Sequence, residues 1–122
     1  MADKRYQVID RQALEQRMQK EEPDNEDRRA GYALVNVLGR EEFEKEHIRH
    51  SINIPKDEID EFEQRFDKDK EIIVYCASLD CPASPQTADE LVERGFDKVY
   101  DYERGLSDWK HAGDPVEGRK AA

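Results

Sequence analysis

The sequence predicts an α/β fold in which a central parallel sheet of about five strands carries helices on both faces. Three observations lead there. The short runs Leu34–Leu38 and Ile72–Tyr75 are almost unbroken in apolar residues, the composition of strands covered on both sides. Between such runs stand stretches whose apolar residues recur at helical intervals, so strand and helix alternate along the chain. The length, 122 residues, suits one domain over 1–122 with one such core.

Tyr6–Ile9 reads as the first strand, and a helix follows from about Arg11 to Lys20 with Leu14 and Met18 on one face. Residues 21–31 open on EEPDNEDRR, carry Pro23 and lack periodicity, which predicts an exposed charged loop. Leu34–Leu38 is the second strand. Gly39 ends it, and Arg40–His47 forms a short helix with Phe43 inward. Ile52–Ile54 makes a brief third strand stopped by Pro55, and Asp57–Phe66 is helical through Ile59, Phe62 and Phe66. Ile72–Tyr75 is the strongest strand, expected to be central and the most buried. Ser84-Pro85 predicts a helix start, a capping hydroxyl followed by proline at the first helical position. Ala88, Leu91 and Val92 face inward along that helix until Gly95 ends it. Val99-Tyr100 is a fifth strand, and Leu106, Trp109 and Ala112 line a last short helix closed by Gly113.

Composition narrows the function. Thirty acidic residues against twenty basic ones give a net charge of −10, which argues against nucleic acid and against an anionic membrane surface. No apolar run approaches a membrane span, and Met1–Tyr6 does not lead into a signal-peptide core. Two cysteines are too few for a disulfide scaffold. The expectation is a cytoplasmic protein whose thiols are reduced or used for chemistry.

Cys76 directly follows the strongest strand and precedes a loop leading into a helix. Ligands of open parallel sheets bind at the carboxyl ends of strands. Loop amides and the positive end of the next helix would favour thiolate over thiol there, with the sulfur facing a shallow pocket. The plainer alternative is a small buried hydrophobe at a strand end.

Longer segments add a resemblance. Val35–Pro55 (VNVLGREEFEKEHIRHSINIP) resembles the first half of a rhodanese domain, and Ile73–Cys76 resembles the strand that delivers that family's catalytic cysteine. Glu90–Phe96 with Val99-Tyr100, then Gly105–Trp109 and Gly113–Val116, resemble the segments that follow. The pieces stand in the family's order over residues 34–117. The resemblance implies a rhodanese-like three-layer fold and sulfur transfer, in which Cys76 takes sulfane sulfur as a persulfide and passes it to a thiophilic acceptor. The loop Ala77, Ser78, Leu79, Asp80 and Cys81 would bind substrate, its amides stabilising the anionic sulfur. The implied partners are a small sulfur donor or a protein persulfide or thiol acceptor; no cofactor is expected.

Departures from the family pattern qualify that chemistry. Where the family ends its strand Asp-Val-Arg, this chain has Asn36-Val37-Leu38. The loop Cys76–Ala83 (CASLDCPA) is longer than usual, lacks the family's arginine and glycine, and contains Asp80 and Cys81. Arginine grips anions through forked hydrogen bonds, so its absence predicts poor use of thiosulfate. Pro82 stands where a phosphatase loop needs arginine, which excludes that rival. Cys81 is placed to resolve a persulfide or sulfenate on Cys76, or is a small residue packed under the next helix. A thiol redox sensor or reductase using Cys76 and Cys81, and a non-catalytic interaction module, therefore stand beside sulfur transfer. His47, His50, Cys76 and Cys81 match no standard zinc spacing, so no metal is assigned; His111 falls on a solvated helix face and Trp109 in the core.

Overall fold

The structure, a computed structural model, describes residues 6–119. Most of the Met1–Tyr6 segment therefore lies outside the described residues. Five parallel strands make the sheet, in spatial order β1 (Gln7–Val8), β6 (Lys98–Tyr102), β5 (Glu71–Tyr75), β2 (Tyr32–Asn36) and β4 (Ile52–Asn53). Two two-residue strands, β3 (His47–Ile48) and β7 (Val116–Glu117), pair antiparallel apart from it.

Side-chain alternation along the inner strands divides the core into two. Ala33, Val35, Ile72 and Val74 face one way, toward Phe62 of α3 (Asp60–Arg65) and Ala88 and Leu91 of α4 (Ala83–Glu93). Tyr32, Leu34, Ile73 and Tyr75 face the other, toward Leu14 of α1 (Arg11–Lys20) and Trp109 of α5 (Gly105–His111). The result is three layers, as expected for a parallel sheet buried on both faces. As predicted, β5 lies at the centre of the sheet. It is not alone in burial, because β2 beside it is buried at every position.

Several boundaries differ from expectation for identifiable reasons. The second strand is Tyr32–Asn36, two residues early, because its register against β5 runs from Tyr32 opposite Glu71 to Asn36 opposite Tyr75. Val37 and Leu38 then leave the ladder. Helix α2 (Arg40–Lys45) stops short of His47, which is drawn into the β3–β7 ribbon, and Phe43 is half-exposed, stacked on the His47 ring at 3.8 Å between centroids. The segment 57–66 divides into a 3-10 turn (Lys56–Glu58) and α3. Ala112 is exposed beyond the end of α5. Ser84 does not cap α4: the helix begins at Ala83, and Ser84 is buried within its first turn. Gly95 ends that helix with φ +102°, a conformation open to glycine at little cost. Among the described residues, no helix is long and apolar enough to cross a membrane.

Candidate functional site

Cys76 stands at the carboxyl end of β5, and strand periodicity decides where its sulfur goes. Residues 72, 74 and 76 share one face, so the thiol points into the apolar layer beneath α4 and is fully buried. The thiol donates to the Cys81 carbonyl oxygen at 3.4 Å and to Ser84 Oγ at 3.5 Å. Burial, reinforced by the neighbouring Cys81 thiol, pushes the Cys76 pKa up to about 11, against the opposing pull of the Ser84 hydroxyl and amide.

Two expectations are thereby corrected. The sulfur faces the core and not a shallow pocket, and its surroundings favour thiol over thiolate. The main reason is burial away from water, with the Cys81 thiol beside the sulfur; one backbone carbonyl also faces it. The Cys81 amide donates to the Ser78 carbonyl at 3.1 Å, closing a tight turn, and this brings the Cys81 carbonyl oxygen toward the sulfur. A carbonyl dipole stabilises S–H and repels S⁻. Of the loop residues singled out by sequence, Ala77, Leu79 and Asp80 are exposed, while Ser78 and Cys81 are partly covered. Asp80 thus turns its charge to solvent.

The other side of the loop rests on α5. Leu106 N–H donates to the Cys76 carbonyl at 2.9 Å and Ser107 N–H to the Ala77 carbonyl at 2.8 Å. Gly105 makes this approach feasible: at φ +66°, a Cβ placed there would stand 2.3 Å from the Cys76 carbonyl oxygen. Beside this junction lies an open cleft of about 400 Å³ lined by Ala77, Leu106, Ser107, Lys110 and His111. The cleft's ammonium is already engaged, Lys110 Nζ lying 2.5 Å from a Glu46 carboxylate oxygen.

Sequence reasoning missed Ser84 and Gly105. Ser84 is visible in the sequence only as a cap, whereas the structure buries it in the first turn of α4 with its Oγ beside the Cys76 sulfur. Gly105, directly before an apolar-periodic segment, is a readable sign of a close approach. The four residues weighed for zinc are not brought together. His47 Nδ1 lies 2.6 Å from the Phe43 carbonyl oxygen and His50 is near Glu22, both away from the cysteine loop. Among the described residues, no group of three or more His, Cys, Asp or Glu is arranged to hold a metal ion.

Comparison with known proteins bears on this architecture directly. The family model of the rhodanese-like domain matches residues 10–112. The chain belongs to the rhodanese-like family. Thiosulfate sulfurtransferase GlpE of Coxiella burnetii is 31% identical over 77 residues, covering 63% of this chain and 70% of the relative. The protein of the same name from Pseudomonas syringae is 32% identical over 83 residues, 68% of this chain and 76% of the relative. Among solved structures, the BH2092 protein of Bacillus halodurans superposes with a TM-score of 0.81 at 26% identity, over 95% of this chain and 79% of that one. The rhodanese-like domain of Alr3790 from Anabaena gives 0.79 at 25% identity, over 93% and 80%. The rhodanese-like fold is therefore established, with its five-stranded parallel sheet and flanking helices.

Proposed function

We propose that this protein is a sulfurtransferase or sulfane-sulfur carrier that works through a persulfide on Cys76. The observation that carries the reading is the position of Cys76, at the end of the central strand with the Ser84 hydroxyl and amide on its sulfur, in a chain of the rhodanese-like family. In the first half-reaction the Cys76 thiolate attacks the outer sulfur of a donor. A new S–S bond forms, the donor's own S–S bond breaks, and the donor remainder leaves with that bond's electron pair. In the second, a thiophilic acceptor attacks the outer sulfur and Cys76 is released as thiolate. A small donor and a thiol or protein acceptor fit this scheme, as does a cytoplasmic setting in which thiols stay reduced. Ala77–Cys81 form the substrate-facing loop.

A thiol with a pKa near 11 sets the rate. Below that value the thiolate fraction rises about tenfold per pH unit, so persulfide formation should accelerate steadily from about pH 7 toward about pH 10. Intact-mass spectrometry after exposure to a neutral sulfane-sulfur donor should show an adduct of about +32 Da that is absent from Cys76→Ser. A wild-type protein that never takes up sulfur, even at high pH, would overturn the proposal. The full burial of the thiol favours, as a second reading, a rhodanese-like interaction module without turnover, and that same negative result is the one it expects.

A further inference from the structure

A persulfide on Cys76 has two electrophilic sulfurs, and the structure treats them unequally. The inner one, Sγ, is sealed between the β5 end, the first turn of α4 and the backbone of Cys81. With the loop closed, an external nucleophile reaches it only as a donor does, after the Ala77–Cys81 tip opens. One thiol does lie against it: Cys81, half-exposed, packs on the same apolar layer, and its backbone is held at the sulfur by the Ser78–Cys81 turn. The chemistry of the leaving groups points the same way. Attack on the outer sulfur must expel Cys76 as a thiolate in a site that disfavours thiolate, whereas attack on Sγ expels hydrosulfide, a weaker base.

Building on the persulfide reading, we infer that Cys81 is a resolving thiol that discharges the Cys76 persulfide as hydrosulfide, a second exit for the sulfur beside transfer to an acceptor. Cys81 loses its proton and its sulfur attacks Cys76 Sγ. The Sγ–S bond breaks, the outer sulfur departs with the electron pair as hydrosulfide, and a Cys76–Cys81 disulfide remains. The sulfane sulfur is reduced to sulfide while the two thiol sulfurs are oxidised together by two electrons, so the step itself needs no further oxidant. An external dithiol returns the pair to the starting state by thiol–disulfide exchange. The protein would thereby convert sulfane sulfur to sulfide at the expense of a dithiol.

The test follows the full chain anaerobically by intact mass after a pulse of inorganic polysulfide, with released sulfide counted. Wild type should end about 2 Da lighter than the reduced protein and release one sulfide per disulfide beyond what loading alone releases in Cys81→Ser, which should stop at about +32 Da. That adduct should outlive any wild-type persulfide by about tenfold or more, and the gap should widen as pH rises, because thiolate is the attacking form in thiol–disulfide exchange. Equal persulfide lifetimes in wild type and Cys81→Ser would overturn the resolving role and leave the persulfide reading standing. A disulfide formed without release of sulfide would overturn it in the same way. No adduct in Cys81→Ser would instead remove the persulfide reading itself, and the inference with it.

Discussion

The 21–31 segment and the Ala77–Cys81 loop both cross the surface between buried elements, and different forces hold them. Under the first sits Lys70, fully buried, its ammonium donating to the carbonyl oxygens of Asp24, Asp27 and Ala30 at 2.8, 2.7 and 2.5 Å. Asn25 adds a second anchor: its Oδ1 accepts from Leu34 N–H and its Nδ2 donates to the His50 carbonyl. The cysteine loop has its root on α5, but its tip is closed by one backbone hydrogen bond, Cys81 N–H to the Ser78 carbonyl. Opening that tip costs on the order of 1 kcal/mol, while freeing the first loop means abandoning a buried charge. A loop that must admit a sulfur donor is held weakly at the point of entry, and the highly charged loop, which looks the more labile by composition, is the fixed one.

The comparison breaks most visibly at Lys70. Lys70→Met keeps the aliphatic stem but leaves three carbonyl oxygens without their donor, and the loss of stability should be about 3 kcal/mol or more by denaturant unfolding. Amide exchange across residues 24–30 should quicken while persulfide formation on Cys76 is unchanged below the new melting point. A loss under about 1 kcal/mol would show that water takes the ammonium's place and that the loop holds itself.

A smaller effect is expected at the root of the cysteine loop. Gly105→Ala puts a methyl group 2.3 Å from the Cys76 carbonyl oxygen and 3.0 Å from Ser78 N, at a φ of +66° that alanine disfavours. Destabilisation of about 2 kcal/mol should accompany slower sulfur uptake, because a Cys76 backbone pushed off Gly105 carries its sulfur away from Ser84. Uptake at the wild-type rate with the same stability loss would show that the root of the loop does not position the sulfur.

These two residues also mark where sequence reasoning reaches and where it stops. Strand and helix order are legible because burial on both faces leaves unbroken apolar runs, as in Ile72–Tyr75, and α1 matches its expected span from Arg11 to Lys20. Cys76 stands out because a strand end is a position the chain announces. The direction of its sulfur follows from counting twos from Ile72, a count that the expectation of a shallow pocket leaves out. The state of the thiol is not legible, since it depends first on how completely α4 and the loop bury the sulfur and then on the Cys81 thiol that the turn brings beside it. Two-residue strands such as β3 and β7 carry no period to detect. Lys70 looks like one more surface charge among many; only the folded path of residues 24–30 shows that three carbonyls converge on it.

The smallest effect concerns charge around the weakly held loop. Thiosulfate is an anion, the loop has no arginine, and the chain carries a net charge of −10. Asp80 points to solvent, so its repulsion acts through water and is open to screening. At low ionic strength thiosulfate should therefore load Cys76 more slowly than a neutral donor. Raising salt from about 0.01 M to about 0.1 M shortens the Debye length from about 30 Å to about 10 Å and should narrow the gap a few-fold. Asp80→Asn should recover part of that gain without added salt, and it should leave the neutral donor's rate alone, because the substitution is exposed and touches no group on the sulfur. If thiosulfate instead matched the neutral donor at low salt, the site would own a cationic grip that the cysteine loop lacks. The cleft beside Ala77, with Lys110 and His111 on its wall, would be the place to find it, and Lys110→Ala would then slow thiosulfate alone.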